Sequence, residues 1–422
     1  MAALAQPAAS PPANPAPNPK WMADLAVRPG LAVSIAVDNV LNARALETDG
    51  ATRLFISRPT SPVEAGKRSE HGDILCLRDK DGDGLYETRT TFVTGPLYIH
   101  GLCWQPEPGA APGTGWLWYS TSGSVHRARD KDGDGRADED VEVLKEGSLP
   151  SGGAQWWHSV LVTGDRLYTS IGDSANATDE ATTDRQKIWS FALDGSARHL
   201  FASGLRSTQK LRVRPGTAEI WGLDDSSDHF GRPLGEEPGA QGKGQPISDD
   251  NPPEELNKYT DGGFYGHPYL AGTRVPRYEY MNKSDLIQLA ATSTNPELCF
   301  PAHWAGSGFT FLDPAVVHRT AGRGGGMPAS MAGDMIACFH GSWSRTEPAG
   351  HCVARVIFDP VEKRPIGYVK LVDGLKPLGD HKWQPLIRPV DAVQALDGSI
   401  LFSCDMTGRV YRIRAKPEEP PG

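Results

Sequence analysis

Apolar residues in this chain come in short bursts separated by polar turns. The runs LAVSIAV (31–37), RLFISR (53–58), DILCLR (73–78), GWLWYSTSG (115–123), RLYTSIGD (166–173) and KIWSFAL (187–193) set the pattern. AEIWGLD (218–224), MIACFHG (335–341), ARVIFD (354–359), SILFSCD (399–405) and RVYRIRA (409–415) continue it. Their shortness, their β-branched and aromatic content and their Gly, Pro, Asp or Asn borders predict strands. Asp-Gly pairs begin at 49, 81, 83, 132, 134, 194, 261, 373 and 397; such pairs favour hairpin turns because Gly accepts positive φ. Helical periodicity is nearly absent, and only residues 283–291 predict a short helix.

The strands repeat as units. RDKDGDG occurs at 78–84 and again at 129–135, an offset of 51 residues. An apolar strand, a small-residue turn and a charged strand recur near 190, 218, 335 and 400. Repeated β units of this size predict propeller blades rather than two unrelated domains. The expectation is all-β: a six-bladed β-propeller over residues 25–415, with seven blades as the alternative count. The strand near the N-terminus would close the ring beside the last blade. The Pro/Ala-rich residues 1–24 and the tail 416–422 are expected to be disordered.

Composition narrows the class. With 47 Gly and 35 Pro in 422 residues the chain is turn-rich but globular. Its 43 basic and 52 acidic residues give a net charge of −9 with no basic stripe, which argues against nucleic-acid binding and a polyanionic membrane surface. No apolar run is long enough to span a bilayer. The six cysteines form no CxxC and are expected to be buried free thiols. Ala-Leu-Ala near the start resembles the stump of a secretory signal.

Serine-elbow, HExxH, Walker A and strand-linked GxGxxG motifs are absent. The two DxDGDG loops are the strongest generic signal. Asp79, Asp81, Asp83 and Glu87 place oxygens at positions 1, 3, 5 and 9 of a calcium-type loop, and Asp130, Asp132, Asp134 and Asp138 do the same. Gly84 and Gly135 stand at position 6, whereas Thr90 and Val141 replace the bidentate Glu of position 12. Each loop is therefore either a structural calcium site or a solvated acidic hairpin tip.

Four segments carry a resemblance: GLRSTQKLRVRPGTAEIWGLDD (204–225), PPEELNKYTDGGFYGHPYLAG (252–272), FHGSWSRTEPAGHCVARVIFD (339–359) and IRPVDAVQALDGSILFSCDMTGRVYRIRA (387–415). Together with RDKDGDG, YIHGLCW (98–104) and RLYTSIGDS, and in this order, they resemble the glucose/sorbosone dehydrogenase family over nearly all of residues 25–415. That family consists of soluble six-bladed propellers that oxidise aldoses or sugar aldehydes with pyrroloquinoline quinone (PQQ) and calcium.

The resemblance implies roles residue by residue. Arg206 would sit over the quinone, where a permanently charged guanidinium stabilises developing negative charge. Arg388 would pair with a PQQ carboxylate, and Arg345 would supply a further cation. Ser226 and Ser227 fall where main-chain carbonyls hold the catalytic calcium. Phe300 stands where a tryptophan packs on the cofactor, with Trp304 or Trp343 as substitutes. His340 would face the central channel, and His267 is expected to be structural. The family's proton-accepting histidine aligns with Ala154, so His158, four residues on, or His100 would have to serve. Ser207 replaces an asparagine and Ala302 a threonine at positions near the cofactor.

The implied activity is a sugar or sugar-aldehyde dehydrogenase of the periplasm or cell exterior, passing electrons to a cytochrome or quinone. It requires the guanidiniums of residues 206, 345 and 388 to share one central pit. Two other classes stay open. One is a cofactor-free propeller that binds carbohydrate or a protein partner. The other is a calcium-dependent lactonase-like hydrolase built on Asp224, Asp225 and Asp228.

Overall fold

The computed structural model describes residues 18–62, 69–230, 249–323 and 325–416. Six four-stranded antiparallel units follow one another along the chain, each written here from the innermost strand outward. Blade 1 is Leu46–Thr48, Arg53–Arg58, Gly72–Arg78 and Thr88–Gly95; blade 2 is Leu102–Pro106, Gly115–Ser120, Val125–Arg129 and Glu139–Leu144. Blade 3 is Leu161–Thr163, Arg166–Ile171, Lys187–Ala192 and His199–Ser203; blade 4 is Thr208–Val213, Ile220–Asp224, Glu254–Tyr259 and Leu298–Phe300. Blade 5 is Gly306–Phe311, Met335–Phe339, Cys352–Phe358 and Pro365–Asp373. Blade 6 is Pro389–Gln394, Ile400–Cys404 and Arg409–Ala415, and its outer strand is Leu31–Val37. The molecule is a six-bladed β-propeller.

The ring closes as the sequence predicts. Leu31 pairs with Ala415 and Val37 with Val410, so the first long strand completes the last blade. Closure supplies the last blade with its outer strand from the other end of the chain and leaves each blade only short edges. The N-terminal boundary differs from expectation. Residues 1–17 and 417–422 lie outside the described residues, but Lys20–Asp24 forms a 3-10 turn that buries Met22, and Ala26–Val27 adds an outer strand to blade 5. Met22 and Leu25 join Leu312, Ile336, Val353 and Phe402 in the apolar layer between blades 5 and 6.

Strand burial explains the compactness of the units. Arg53–Arg58 is buried at all six positions because blade faces pack on both sides. All six cysteines are free thiols, five of them buried, as composition suggested. The predicted short helix is present as Leu286–Thr292, three residues late at its start. Among the described residues one other α-helix occurs, Pro314–Thr320, started by Pro314 and by Asp313, whose side chain accepts from the Ala315 amide at 2.8 Å.

Topology fixes which chain segments meet at each face. Inner strands all begin at one face, and second strands all end there. The residues just before inner strands and just after second strands therefore share that face. The DxDGDG loops join third to fourth strands of blades 1 and 2 and so lie on the opposite face.

Candidate active site

Segments flanking five of the six inner strands enclose a cleft of ≈ 230 Å³ at that face. Arg44, Arg206, Gln209 and Arg388 line it together with Trp157, Trp343, His303, His340, Asp225 and Asp228. Arg44 and Arg206 each stand two residues before an inner strand, and Arg388 one residue before. His340 and Asp405 each immediately follow a second strand.

Arg206 is brought to the cleft by the turn of Gly204, which requires glycine because φ is +79° and a Cβ there would stand 2.7 Å from the Phe264 ring. Asp224 then locks the following backbone, accepting from the amides of Arg206 and Ser207 and from Thr208 Oγ1 at 2.8, 2.8 and 2.9 Å. The Arg206 guanidinium donates to the Asn176 carbonyl at 3.1 Å, to Asn176 Oδ1 at 3.2 Å and to Asp228 Oδ2 at 3.1 Å. Its side chain is 2 % exposed.

Across the cleft a second hydrogen-bond network joins four blades, 1, 4, 5 and 6. Arg44 donates to Asp405 at 2.9 Å and to Gln209 at 3.0 Å, and its guanidinium lies 4.2 Å from the Trp157 ring centroid. His340 places Nε2 2.9 Å from Asp405 Oδ2, and its Nδ1 lies 2.9 Å from Arg388 Nη2. Burial and the adjacent guanidiniums push the His340 pKa down to about 4. Asp405 is held well below the usual carboxylate range: burial alone would raise it, but the His340 hydrogen bond and the Arg44 and Arg388 charges outweigh that cost. Gly341 makes room for this corner at φ +101°, with the ring of His351 within 2.2 Å of where a Cβ would stand.

Beside Arg206 stand the carboxyl groups of Asp225, half-buried on the cleft wall, and Glu254, fully buried. Removal from water, despite the Arg206 charge, pushes Asp225 up, and burial plus the Asp225 charge push Glu254 well up. Ser226 and Ser227 continue this segment. The Ser226 amide donates to Glu254 at 3.1 Å, its Oγ donates to the Pro253 carbonyl, and Ser227 Oγ accepts from Arg277. These contacts occupy side chains and one amide and use neither serine carbonyl.

Several expected site residues stand elsewhere. Arg345 does not line the cleft; it donates to the carbonyls of Asp249, Ala302 and Glu347 and ties loops together, and Arg44 takes the place expected of it. Phe300 is 2 % exposed and packs on Phe339 and Tyr368, so it is blade core. Trp304 shares that core, whereas Trp343 is 57 % exposed, lines the cleft and donates to Asp228 Oδ1 at 3.0 Å. His158 is fully buried, its ring nitrogens each 3.1 Å from a main-chain carbonyl, of Ser170 and Ser122. His100 lines a small cavity between the inner strands, packs against Trp157 with ring centroids 4.9 Å apart, and has Nδ1 3.3 Å from the His158 carbonyl. Neither histidine reaches the cleft, so their placement does not suit a proton acceptor for a ligand there. Ala154 and Ser207 do belong to this corner: Ala154 lines the cleft, and Ser207 Oγ is buried without a hydrogen-bond partner. His267 is structural, paired with buried Asp173 at 2.8 Å.

The acidic loops converge as their spacing implies. Carboxylates of Asp79, Asp81, Asp83 and Glu87 lie within 4.8 Å of one another, as do those of Asp130, Asp132 and Asp138; Asp134 stays outside the second group. Among the described residues no third group of this kind exists. Asp224, Asp225 and Asp228 therefore do not form the convergent carboxylate set that a lactonase-like site needs.

A family model described as TrAA12-like matches residues 162–416. The chain belongs to the TrAA12-like family. This TrAA12-like propeller superposes with a TM-score of 0.71 on a carbohydrate-active enzyme of family AA12 from Trichoderma reesei, at 18% identity over 93% of this chain and 98% of that one. The holo PQQ domain of pyranose dehydrogenase from Coprinopsis cinerea gives 0.70 at 16% identity, over 94% and 98% of the two chains. The soluble aldose sugar dehydrogenase of Escherichia coli, in its apo form, gives 0.56 at 13% identity, over 92% and 100%. The resemblance read from the sequence is thus borne out in family and fold. An uncharacterized protein of Borreliella burgdorferi is 26% identical over 251 residues, 59% of this chain; the chain spans 57% of the length of that curated relative. Among the described residues no helix is long and apolar enough to cross a membrane.

Proposed function

We propose that this chain is a PQQ-dependent dehydrogenase of an aldose or sugar aldehyde. The observation that carries the reading is the convergence of Arg44, Arg206 and Arg388 on one cleft walled by Trp157 and Trp343. Three guanidiniums beside aromatic faces suit a flat molecule bearing several carboxylates. The fit has a local test in the side chains themselves: the Nε atoms of Arg44 and Arg388 are buried without a hydrogen-bond partner. Buried donors of this kind cost free energy until an acceptor arrives.

In this reading Arg44 and Arg388 hold ligand carboxylates, and Arg206 faces the part of the ligand where negative charge develops. When bound, PQQ would supply an ortho-quinone able to take two electrons from the substrate carbon. Trp343, exposed at the rim, offers a stacking face for a sugar. His340 is the cleft histidine whose hydrogen-bond partner, Asp405, can stabilise an imidazolium, and it is the group we assign to take the substrate hydroxyl proton at Nδ1. The main-chain carbonyls of Ser226 and Ser227 would hold calcium beside Asp225. Calcium in the DxDGDG loops would be structural, since those loops lie on the far face. The electron acceptor would be a cytochrome or a quinone, and the setting periplasmic or secreted.

The test is direct. Purified protein incubated with PQQ and calcium should retain quinone absorbance after desalting and reduce an artificial dye with at least one member of an aldose panel. Failure of both would leave the cofactor-free carbohydrate-binding propeller, which Ala154 on the cleft wall would then favour.

A further inference from the structure

The lone pair that would make His340 a base is not free in this structure. A guanidinium can only donate, so the 2.9 Å contact with Arg388 Nη2 makes Nδ1 the acceptor. The ring proton therefore sits on Nε2 and is donated to Asp405, at 2.9 Å from Oδ2 and 3.1 Å from Oδ1. Asp405 is in turn held by Arg44 at 2.9 Å. The charged groups facing the ring are thus Asp405 from blade 6, Arg44 from the segment before blade 1 and Arg388 from the segment before blade 6. Asp405 favours protonation, and the two guanidiniums oppose it. Arg388 is itself incompletely satisfied, because its Nε is buried without a partner.

We infer that a carboxylate-bearing ligand in the cleft draws Arg388 away from His340, freeing Nδ1, so that His340 becomes a base only when the cleft is occupied. Arg388 exchanges one hydrogen bond for another: its N–H leaves the imidazole lone pair and goes to a carboxylate oxygen, which also offsets the guanidinium charge. The freed Nδ1 can then accept a proton from a hydroxyl, and Asp405 balances the resulting imidazolium through Nε2–H. Arg388 is a positioning residue in this scheme, acting through His340. The identity of the ligand as PQQ rests on the reading above; the coupling between anion and histidine does not.

The test follows the His340 imidazole proton by NMR through a pH titration of the full chain, the signal being identified by its loss in His340→Gln. Two probes are used without calcium: pyridine-2,6-dicarboxylate and PQQ. In Arg388→Gln, with no ligand, the His340 pKa should rise by about one unit or more, as expected on removing a like charge at contact distance. Arg388→Lys, which keeps the charge, should stay near wild type. In wild-type protein, saturation with a bound probe should raise the pKa in the same direction. An unmoved His340 in Arg388→Gln overturns the inference, and so does an unmoved His340 under a saturating, bound probe, a readout that does not depend on the variant folding. If the dicarboxylate moves His340 while PQQ neither binds nor moves it, the coupling stands and the cofactor reading falls. If PQQ binds with His340 unmoved, the reverse holds.

Discussion

At the scale of single residues, charge placement decides the account. Arg206→Ala and Arg388→Ala should each weaken PQQ binding about tenfold to a hundredfold by calorimetry, the range expected for a lost charged hydrogen bond of about 1.5–3 kcal/mol. His340→Gln should leave binding largely intact and lower turnover about 10²–10⁴-fold, the range of general-base catalysis. The same histidine gives a pH signature. Its folded pKa, about 4, lies below its ordinary value of 6.5, so the unfolded chain takes up the proton first as pH falls. Its stabilising contribution is complete above pH 6.5 and is lost on acidification toward pH 4, on the order of 3 kcal/mol. Chemical denaturation at pH 7 and pH 4.5 should show this loss in wild type and a smaller one in His340→Gln.

Arg206 and Arg388 were legible in the sequence because short motifs, GLRS and IRPVD, surround them. Arg44 and Asp405 were not, because each stands in an ordinary-looking strand border and acquires meaning only when the ring brings residues 44, 340, 388 and 405 together. The one available signal was positional: Arg44 precedes its inner strand by two residues, as Arg206 does. His158 misled for the opposite reason. Closeness in sequence to Ala154 says nothing of side-chain direction, and the chain turns this ring into the blade interior.

At the scale of elements, strand patterning made most of the blades readable, since short apolar runs between Asp-Gly turns have few other uses. The start of the ring was less readable. A Pro/Ala-rich prefix looks unstructured until a 3-10 turn buries Met22 in it. A chain beginning at residue 38 lacks the outer strand of blade 6 and should lose cooperative thermal unfolding, as followed by circular dichroism. Gly341→Ala probes the corner that carries His340. A methyl group at φ +101°, directed at the His351 ring, should cost about 1–3 kcal/mol and show as a lower Tm.

At the scale of the whole molecule, the propeller separates its two acidic loops from its cationic cleft by the height of the blades. Calcium added to cofactor-free protein should raise Tm if the loops bind it, and Asp81→Asn combined with Asp132→Asn should remove that rise while sparing PQQ binding. Loss of PQQ binding in this pair would tie the loops to the cleft, contrary to the topology.

The central claim is that one cleft gathers three guanidiniums from distant stretches of chain to hold a single flat polycarboxylate. Isothermal titration of PQQ in the presence of calcium, into wild type and into Arg44→Ala, tests it most directly, because no sequence motif marks Arg44. Saturable one-to-one binding to wild type, weakened about tenfold or more in Arg44→Ala, is the predicted result. Wild-type binding no tighter than millimolar, or equal affinity in the two proteins, would contradict it.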